Sequence, residues 1–413
     1  MNKSNKTILV ALFLISLLDY FGLGVAFVVF SPLFLHLSGS TAILNPNDAY
    51  NLRLMWLSIA LAIYPLGQFF GAGVWGQVSD FYGRKKILIF TLLGTIIGYI
   101  FSGIAISIAS LSFLLFSRFF TGLCAGNIAV AQSSMSDLST PENKASNLGL
   151  LWVGTASGWT LGPLIGGKLT DSHLVSWFGM AVPFWFAAVI GVVTLLYTVC
   201  FFRETVQSRG KTKFFVFTGV ANIGSAIRSV QLRWVFILWI AYALSWTLFY
   251  QFFPPFLASQ LNFGASRIGD VLAYQAATFI VTQLALVRML SRRFAPRSIL
   301  LWSLPLLALS MFAISISNNI KEILGLIFFY IVWMGFSLIN INALLSNSVS
   351  TNEQGKILGS ASSVLALATI FTGFVGGPLM MIAKNLPLVI ASVIALFSWI
   401  IIFFKMSEPS GSN

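Results

Sequence analysis

Long apolar stretches recur along the whole of this 413-residue chain, and they restrict its fold more than any other feature. Twelve such runs lie near residues 7–36, 52–77, 87–109, 112–136, 146–169, 180–202, 233–257, 267–290, 298–317, 320–345, 357–382 and 387–404. Each is close to the ~20 residues that a helix needs to cross a bilayer. Backbone polar groups in hydrocarbon must bond within their own segment, so runs of this length read as helices. The fold expected is therefore an all-α membrane protein of twelve transmembrane helices. Charged residues make up only 8% of the chain, against about 25% in soluble domains, which excludes a water-soluble globule.

The loops between the runs carry the orientation. With the N-terminus inside, eighteen Lys and Arg fall in inner segments, five in outer ones, and Arg118 lies within a run. The positive-inside rule then places both termini in the cytoplasm. The net charge of +13 is spread over short loops, which fits an anionic membrane surface and argues against nucleic acid as partner. Cys124 and Cys200 sit inside apolar runs and imply no disulfide scaffold. The first run is far longer than a signal-peptide core and contains Asp19, so it reads as a retained span.

The longest inner segment, 203–232, divides the chain into an N-terminal half of six helices (1–202) and a C-terminal half with a short tail (233–413). Within it Phe214, Phe217, Val220, Ile223 and Ile227 recur at helical spacing between basic residues, as in an amphipathic helix on the inner membrane surface. A disordered basic linker is the plain alternative. A faint repeat supports the two halves: Ser79–Leu88 aligns with Ser291–Leu300, each after the second run of its half, and Glu142-Asn143 mirrors Glu353-Gln354.

Four local patterns carry chemistry. Between the second and third runs stands Gly76-Gln-Val-Ser-Asp80-Phe-Tyr-Gly83-Arg84-Lys85-Lys86. Gly76 would let neighbouring helices approach, and Asp80 could pair with Arg84 or with a helix N-terminus. The fourth run opens Ser117-Arg118-Phe-Phe-Thr121-Gly122. An arginine several residues into a span costs about 2.5–3.5 kcal/mol and calls for a partner, unless it snorkels to the headgroups. The fifth run places Gly154, Gly158 and Gly162 on one face, followed by Pro163, Gly166 and Gly167, which grooves and bends the helix. Asp19, about 18 Å of helix from the inner end of the first run, has no basic neighbour in sequence. A lone carboxyl there suits a group that takes up and releases protons, or else one that hydrogen-bonds a neighbouring helix.

These motifs resemble those of the major facilitator superfamily, and within it the twelve-span drug:proton antiporters that include multidrug and tetracycline/proton antiporters. The Gly76–Lys86 loop resembles the superfamily's gating loop, although Phe81 stands where a basic residue is usual after the Asp. The resemblance implies that Asp80 and Arg84 latch the inner gate, with Gly76, Gly83 and Lys85 shaping the turn. Arg118 matches the buried arginine near the proton path, and Gly154 through Gly167 match the motif of proton-coupled exporters. Leu18-Asp19-Tyr20-Phe21-Gly22 and Phe202-Arg203-Glu204-Thr205 repeat the same family's phrasing, and Asp137 matches a gate or loop-anchoring residue. The implied function is export of small amphipathic compounds across the inner membrane in exchange for protons, by alternating access. Asp19 and Arg118 would couple the proton. Polar and aromatic residues within the runs, among them Asn127, Gln132, Trp152, Trp246, Tyr250, Tyr274, Gln275 and Asn340, would line a mostly apolar substrate cavity.

The energy source would be the proton gradient, with no cofactor and no metal. The partners expected are a small-molecule substrate, protons and the lipid bilayer, the chain working as a monomer. Export or import of one metabolite, such as a siderophore or nutrient, is the alternative within transport, and a non-transporting membrane receptor the alternative outside it. An enzyme is not expected: there is no metal cluster and no phosphate-binding Gly-x-x-x-x-Gly-Lys-Ser/Thr loop.

Overall fold

A computed structural model of the chain describes residues 3–36, 43–45, 47–140, 144–206, 224, 229, 232–283, 294–349 and 354–405. Among them the regular structure is helical. In chain order the helices are α1 (Lys3–Leu35), α2 (Tyr50–Tyr82), α3 (Arg84–Ser107), α4 (Leu111–Ala125), α5 (Ile128–Asp137), α6 (Lys144–Lys168), α7 (Val182–Phe201), α8 (Arg233–Gln260), α9 (Ala265–Thr282), α10 (Pro296–Ile316), α11 (Ile320–Asn347), α12 (Gln354–Ile382) and α13 (Leu386–Lys405). Eleven segments are long and apolar enough to span a bilayer, α4 and α5 together forming one of 27 residues. The eighth expected run differs. Its described part, α9, carries Ser266, Arg267, Asp270 and Gln275, which leave it too polar to qualify by composition. Residues 284–290 of that run, the amphipathic residues Phe214, Phe217, Val220, Ile223 and Ile227, and Glu142-Asn143 and Glu353 lie outside the described residues.

Helix ends follow local chemistry. Pro183 and Pro296 stand in the first turns of α7 and α10, where a missing N–H costs nothing. Asn319 caps α11 by accepting from the Lys321 N–H at 3.0 Å. Prolines 32, 65, 163, 254, 255, 305 and 378 lie inside helices, as membrane helices tolerate.

The chain forms two compact units, Met1–Val216 with Phe263–Ala273, and Phe217–Asn262 with Tyr274–Asn413. In the first, backbone meets backbone at glycines. A Cβ on Gly67 or Gly71 of α2 would strike the α4 main chain at Phe119 and Leu123, and one on Gly122 would strike Tyr64. Gly126 leaves no room for a side chain against Gly71 and Ala72. The fourth span is not one continuous helix, because it breaks at Gly126 and Asn127 between α4 and α5. Neighbouring carbonyls find donors on α2: the Trp75 indole N–H donates to Leu123 O at 2.7 Å, and the Gln68 amide to Ala125 O at 3.4 Å. Gly76, in contrast, does not provide the close approach expected of it. A Cβ there would make ordinary contact with Ala129 at 3.7 Å, since the tight crossing lies five residues earlier, around Gly71.

The second unit packs side chain on side chain. Phe249 packs tilted against Tyr330 with ring centres 4.6 Å apart and stacks on Phe253 at 5.6 Å. Hydroxyl and indole donors reach neighbouring main chains: Ser245 Oγ to Ala391 O at 2.7 Å, Trp239 to Ala361 O at 2.9 Å and Trp399 to Leu301 O at 2.8 Å.

Candidate functional site

The glycines of α6 position the first candidate group. Gly154 lies against Phe13 and Ser16 of α1, Gly158 against Leu17 and Phe21, and Gly162 against Phe21. Each would place a Cβ on the α1 backbone, so four-residue spacing on α6 becomes a groove that holds α1 along three turns. Gly166 continues the groove at Val25, and the Pro163 ring fills the space over Gly24. Gly167 faces a different neighbour, Ala265 and Gly269 of α9. The ladder read from the sequence is therefore a packing device in which six residues meet two helices.

Asp19 stands on the stretch of α1 that this groove grips. It is 1% exposed, and neither carboxylate oxygen has a hydrogen-bond partner among the described residues. A hydroxyl approaches from α3: Tyr99 donates to Leu18 O at 3.3 Å and lies over Gly22, where any Cβ would collide with it.

Arg118 of α4 is likewise 1% exposed, which removes the snorkelling alternative. Its Nε and Nη1 have no hydrogen-bond acceptor among the described residues. Instead the guanidinium carbon lies 4.6 Å from the Tyr64 ring centre, 5.5 Å from Phe30 and 5.9 Å from Phe184. Three helices thus supply an aromatic cage. At about 0.5–2 kcal/mol per ring, the cage is large enough to offset the ~2.5–3.5 kcal/mol that such an arginine costs in a span. No carboxylate pairs with it among the described residues.

The loop after α2 forms a second charged centre. Arg84 bridges Asp80 Oδ1 at 2.6 Å and Asp137 Oδ2 at 3.2 Å, and its Nη1 reaches Gly76 O at 3.4 Å. Asp80 therefore pairs with Arg84, and Asp137, at the end of α5, anchors the loop. Glu204 completes the centre, a role that sequence reading did not assign. Its carboxylate accepts the Arg84 N–H at 2.8 Å and the Lys85 N–H at 3.2 Å, at the N-terminus of α3, where negative charge is favoured. It also accepts from Thr205 and Val206. Gly83 adopts φ +98°, and a Cβ there would run into that carboxylate. Lys85 turns away and donates to Val199 O at 2.8 Å. The available signal for Glu204 was an acid just beyond α7, but no spacing rule links it to a helix start 120 residues earlier.

The expected cavity residues divide between the units. In the first, Asn127 is fully buried with neither amide atom partnered, whereas Gln132 is exposed and Trp152 is 64% exposed. In the second, the Trp246 and Tyr250 rings lie 6.0 Å apart, with the Trp246 N–H unpartnered. Gln275 is buried with a free Oε1, Tyr274 is 39% exposed, and Asn340 donates to Phe336 O of its own helix at 2.8 Å. Gln251, buried one residue beyond Tyr250, is pinned by Thr369 O at 2.9 Å and Thr372 Oγ1 at 3.1 Å, leaving its Oε1 unpartnered.

Comparison with known proteins places this geometry in a family. The chain is 26% identical over 385 residues to the tetracycline resistance protein, class H, of Pasteurella multocida, covering 90% of this chain and 87% of that one. It is 23% identical over 405 residues to multidrug resistance protein 2 of Bacillus subtilis, covering 95% and 94%. Among solved structures it resembles a human organic anion transporter (TM-score 0.70, 18% identity, 97% and 100% covered). It also resembles a D-xylose–proton symporter (TM-score 0.74, 12% identity, 98% and 100% covered). The family model described as Major Facilitator Superfamily matches residues 12–371 and 235–413, and the chain is a multi-pass membrane transporter belonging to that superfamily.

Proposed function

We propose that this transporter exports small amphipathic compounds across a bacterial inner membrane in exchange for protons, by alternating access. The observation that carries the reading is Asp19: a carboxyl buried in mid-helix, on the stretch of α1 that the α6 groove grips, without a hydrogen-bond partner among the described residues. A charge fixed there would be costly, whereas one that comes and goes with a proton can bias a two-state equilibrium. Resemblance to the tetracycline and multidrug resistance proteins supports outward transport. The solved relatives include a proton symporter, so the fold alone does not select a direction.

In this reading the helices form two six-helix halves with both termini in the cytoplasm, and the chain works as a monomer powered by the proton gradient. The Asp80–Arg84–Asp137 centre, closed by Glu204, latches the cytoplasmic side. Arg118 in its aromatic cage supplies a fixed positive charge near the proton carrier. Substrate binding and proton binding favour different states, which suffices for coupling.

The test uses inside-out vesicles energised by respiration and a pH-sensitive dye, challenged with lipophilic cations, tetracyclines and siderophores. Proton release on adding a compound supports antiport and identifies the substrate class. Silence toward all of them, with accumulation in whole cells instead, would make the protein an importer.

A further inference from the structure

Between Asp19 and Arg118 stand two tyrosines that no motif singled out. Tyr99 of α3 and Tyr64 of α2 are both essentially unexposed. The Tyr99 hydroxyl rests on α1 between Leu18 and Gly22, within one turn of Asp19. Tyr64 presents its ring face to Arg118 at 4.6 Å, and its hydroxyl has no hydrogen-bond partner among the described residues. The two tyrosines interact electrostatically with each other, and each also with Asp19 and with Arg118. Four helices thus converge on an acid with two open acceptors, a hydroxyl with no partner and a guanidinium with two open donors. The other titratable groups in reach of Asp19 are Tyr20 on its own helix and Cys124 of α4. α6 and α7 face this part of α1 with Trp159 and Phe186, which do not titrate.

We propose that Tyr99 and Tyr64 are positioning residues that form a switchable bridge between Asp19 and Arg118; the inference rests on Asp19 being the proton carrier. A hydroxyl both donates and accepts, and its hydrogen turns at little cost. The hydrogen bond from Tyr99 to Leu18 O belongs, in this proposal, to the state in which Asp19 holds its proton. When the proton leaves, the Tyr99 O–H turns to the carboxylate, and the Tyr64 hydroxyl orients its dipole between that charge and Arg118. Both tyrosines keep their own protons. Their work is to make the far end of the cluster respond to the state of Asp19 without a direct ion pair, which would hold the carboxylate permanently charged.

Tyr64→Phe and Tyr99→Phe keep both rings and remove only the hydroxyls. In liposomes with labelled tetracycline as the probe, two rates are compared: exchange across the membrane at equal pH, and transport driven by an imposed pH gradient. The bridge predicts that each variant loses gradient-driven transport by about tenfold, while exchange stays within about twofold. Equal losses in both rates would mean a packing role only, and no loss in either would overturn the bridge outright. If the unmodified protein exchanges tetracycline but ignores the gradient, the proton reading itself fails and takes the bridge with it. A measurement on the unmodified protein needs neither a transported compound nor a stable variant: infrared spectra with ring-deuterated tyrosine, followed through the titration of the buried carboxyl. Tyrosine bands that shift with the carboxyl band, and do not in Asp19→Asn, support the bridge; bands that stay fixed overturn it.

Discussion

The two compact units solve the same problem, close packing of apolar helices, with different chemistry. The first brings main chains together at glycines and holds two buried charged side chains, Asp19 and Arg118, between its helix ends. The second interlocks rings, and its described helices carry no charged residue away from their ends. Its buried polar groups there are neutral: Gln251, Gln275, Asn340 and several hydroxyls. Its glycines differ from those of α6, since Gly335 and Gly376 lie against the side chains of Gln283 and Phe252 where Gly154, Gly158 and Gly162 meet main chain. A buried charge needs close walls to exclude lipid and water; around Arg118 three rings supply them, while glycine contacts hold the helices that carry those groups. Neutral polar groups are satisfied by single hydrogen bonds and tolerate looser, side-chain packing. The lesson is a division of chemistry, in which the first unit buries charged side chains in mid-helix and the second buries neutral polar ones.

The largest effect expected is at Asp19. Asp19→Asn should lower gradient-driven transport by roughly 100-fold or more, with substrate binding retained, because the amide fills the same space but carries no exchangeable charge. Equilibrium binding beside transport in liposomes separates the two. Next comes Gly158→Leu, which forces a side chain onto Leu17 and Phe21 and should cost about 1–3 kcal/mol or more in folding stability. Its control is in the second unit: a Cβ on Gly325 meets nothing within 4 Å, so Gly325→Leu should stay within about 0.5 kcal/mol. Thermal unfolding in detergent compares them, and equal losses would dissolve the contrast between the units.

Much of the first unit was legible in the sequence because its devices are periodic. Glycines four apart on α6 announced a groove, and only the identity of its occupant, α1 beside Asp19, required the fold. The Asp80–Arg84 pair was one of the two partners that the loop's composition offered Asp80, and the fold selects it. The break at Gly126 and Asn127 was hidden, since an apolar run does not reveal where its backbone bonds are completed by Trp75 and Gln68 of another helix. The aromatic cage was hidden for a similar reason, as Phe30, Tyr64 and Phe184 come from three helices with no spacing in common. Cavity residues were the least legible. Within an apolar run a polar side chain can bond its own helix, as Asn340 does, and no local pattern distinguishes that from a free one.

A smaller effect should follow from Glu204→Gln, which keeps the acceptor oxygen but removes the charge from the start of α3. The expected loss is about 0.5–1 kcal/mol, read as a lower unfolding temperature that high salt partly masks in the unmodified protein. The smallest effect on coupling sharpens the comparison from the other side. Gln251→Leu removes two hydrogen bonds from the second unit, with a stability loss of about 1–2 kcal/mol softened by removing its unpartnered oxygen. Transport per gradient should be unchanged at saturating substrate, and the KM altered. A loss of coupling in this variant would mean that the second unit takes part in handling the proton.

The most direct test of the account measures protons released into weakly buffered detergent solution when purified protein binds the compound that moves protons in vesicles. The account predicts a clear burst from the unmodified protein and none from Asp19→Asn at equal occupancy. An undiminished burst from Asp19→Asn would contradict it and place the exchanging proton elsewhere in the molecule.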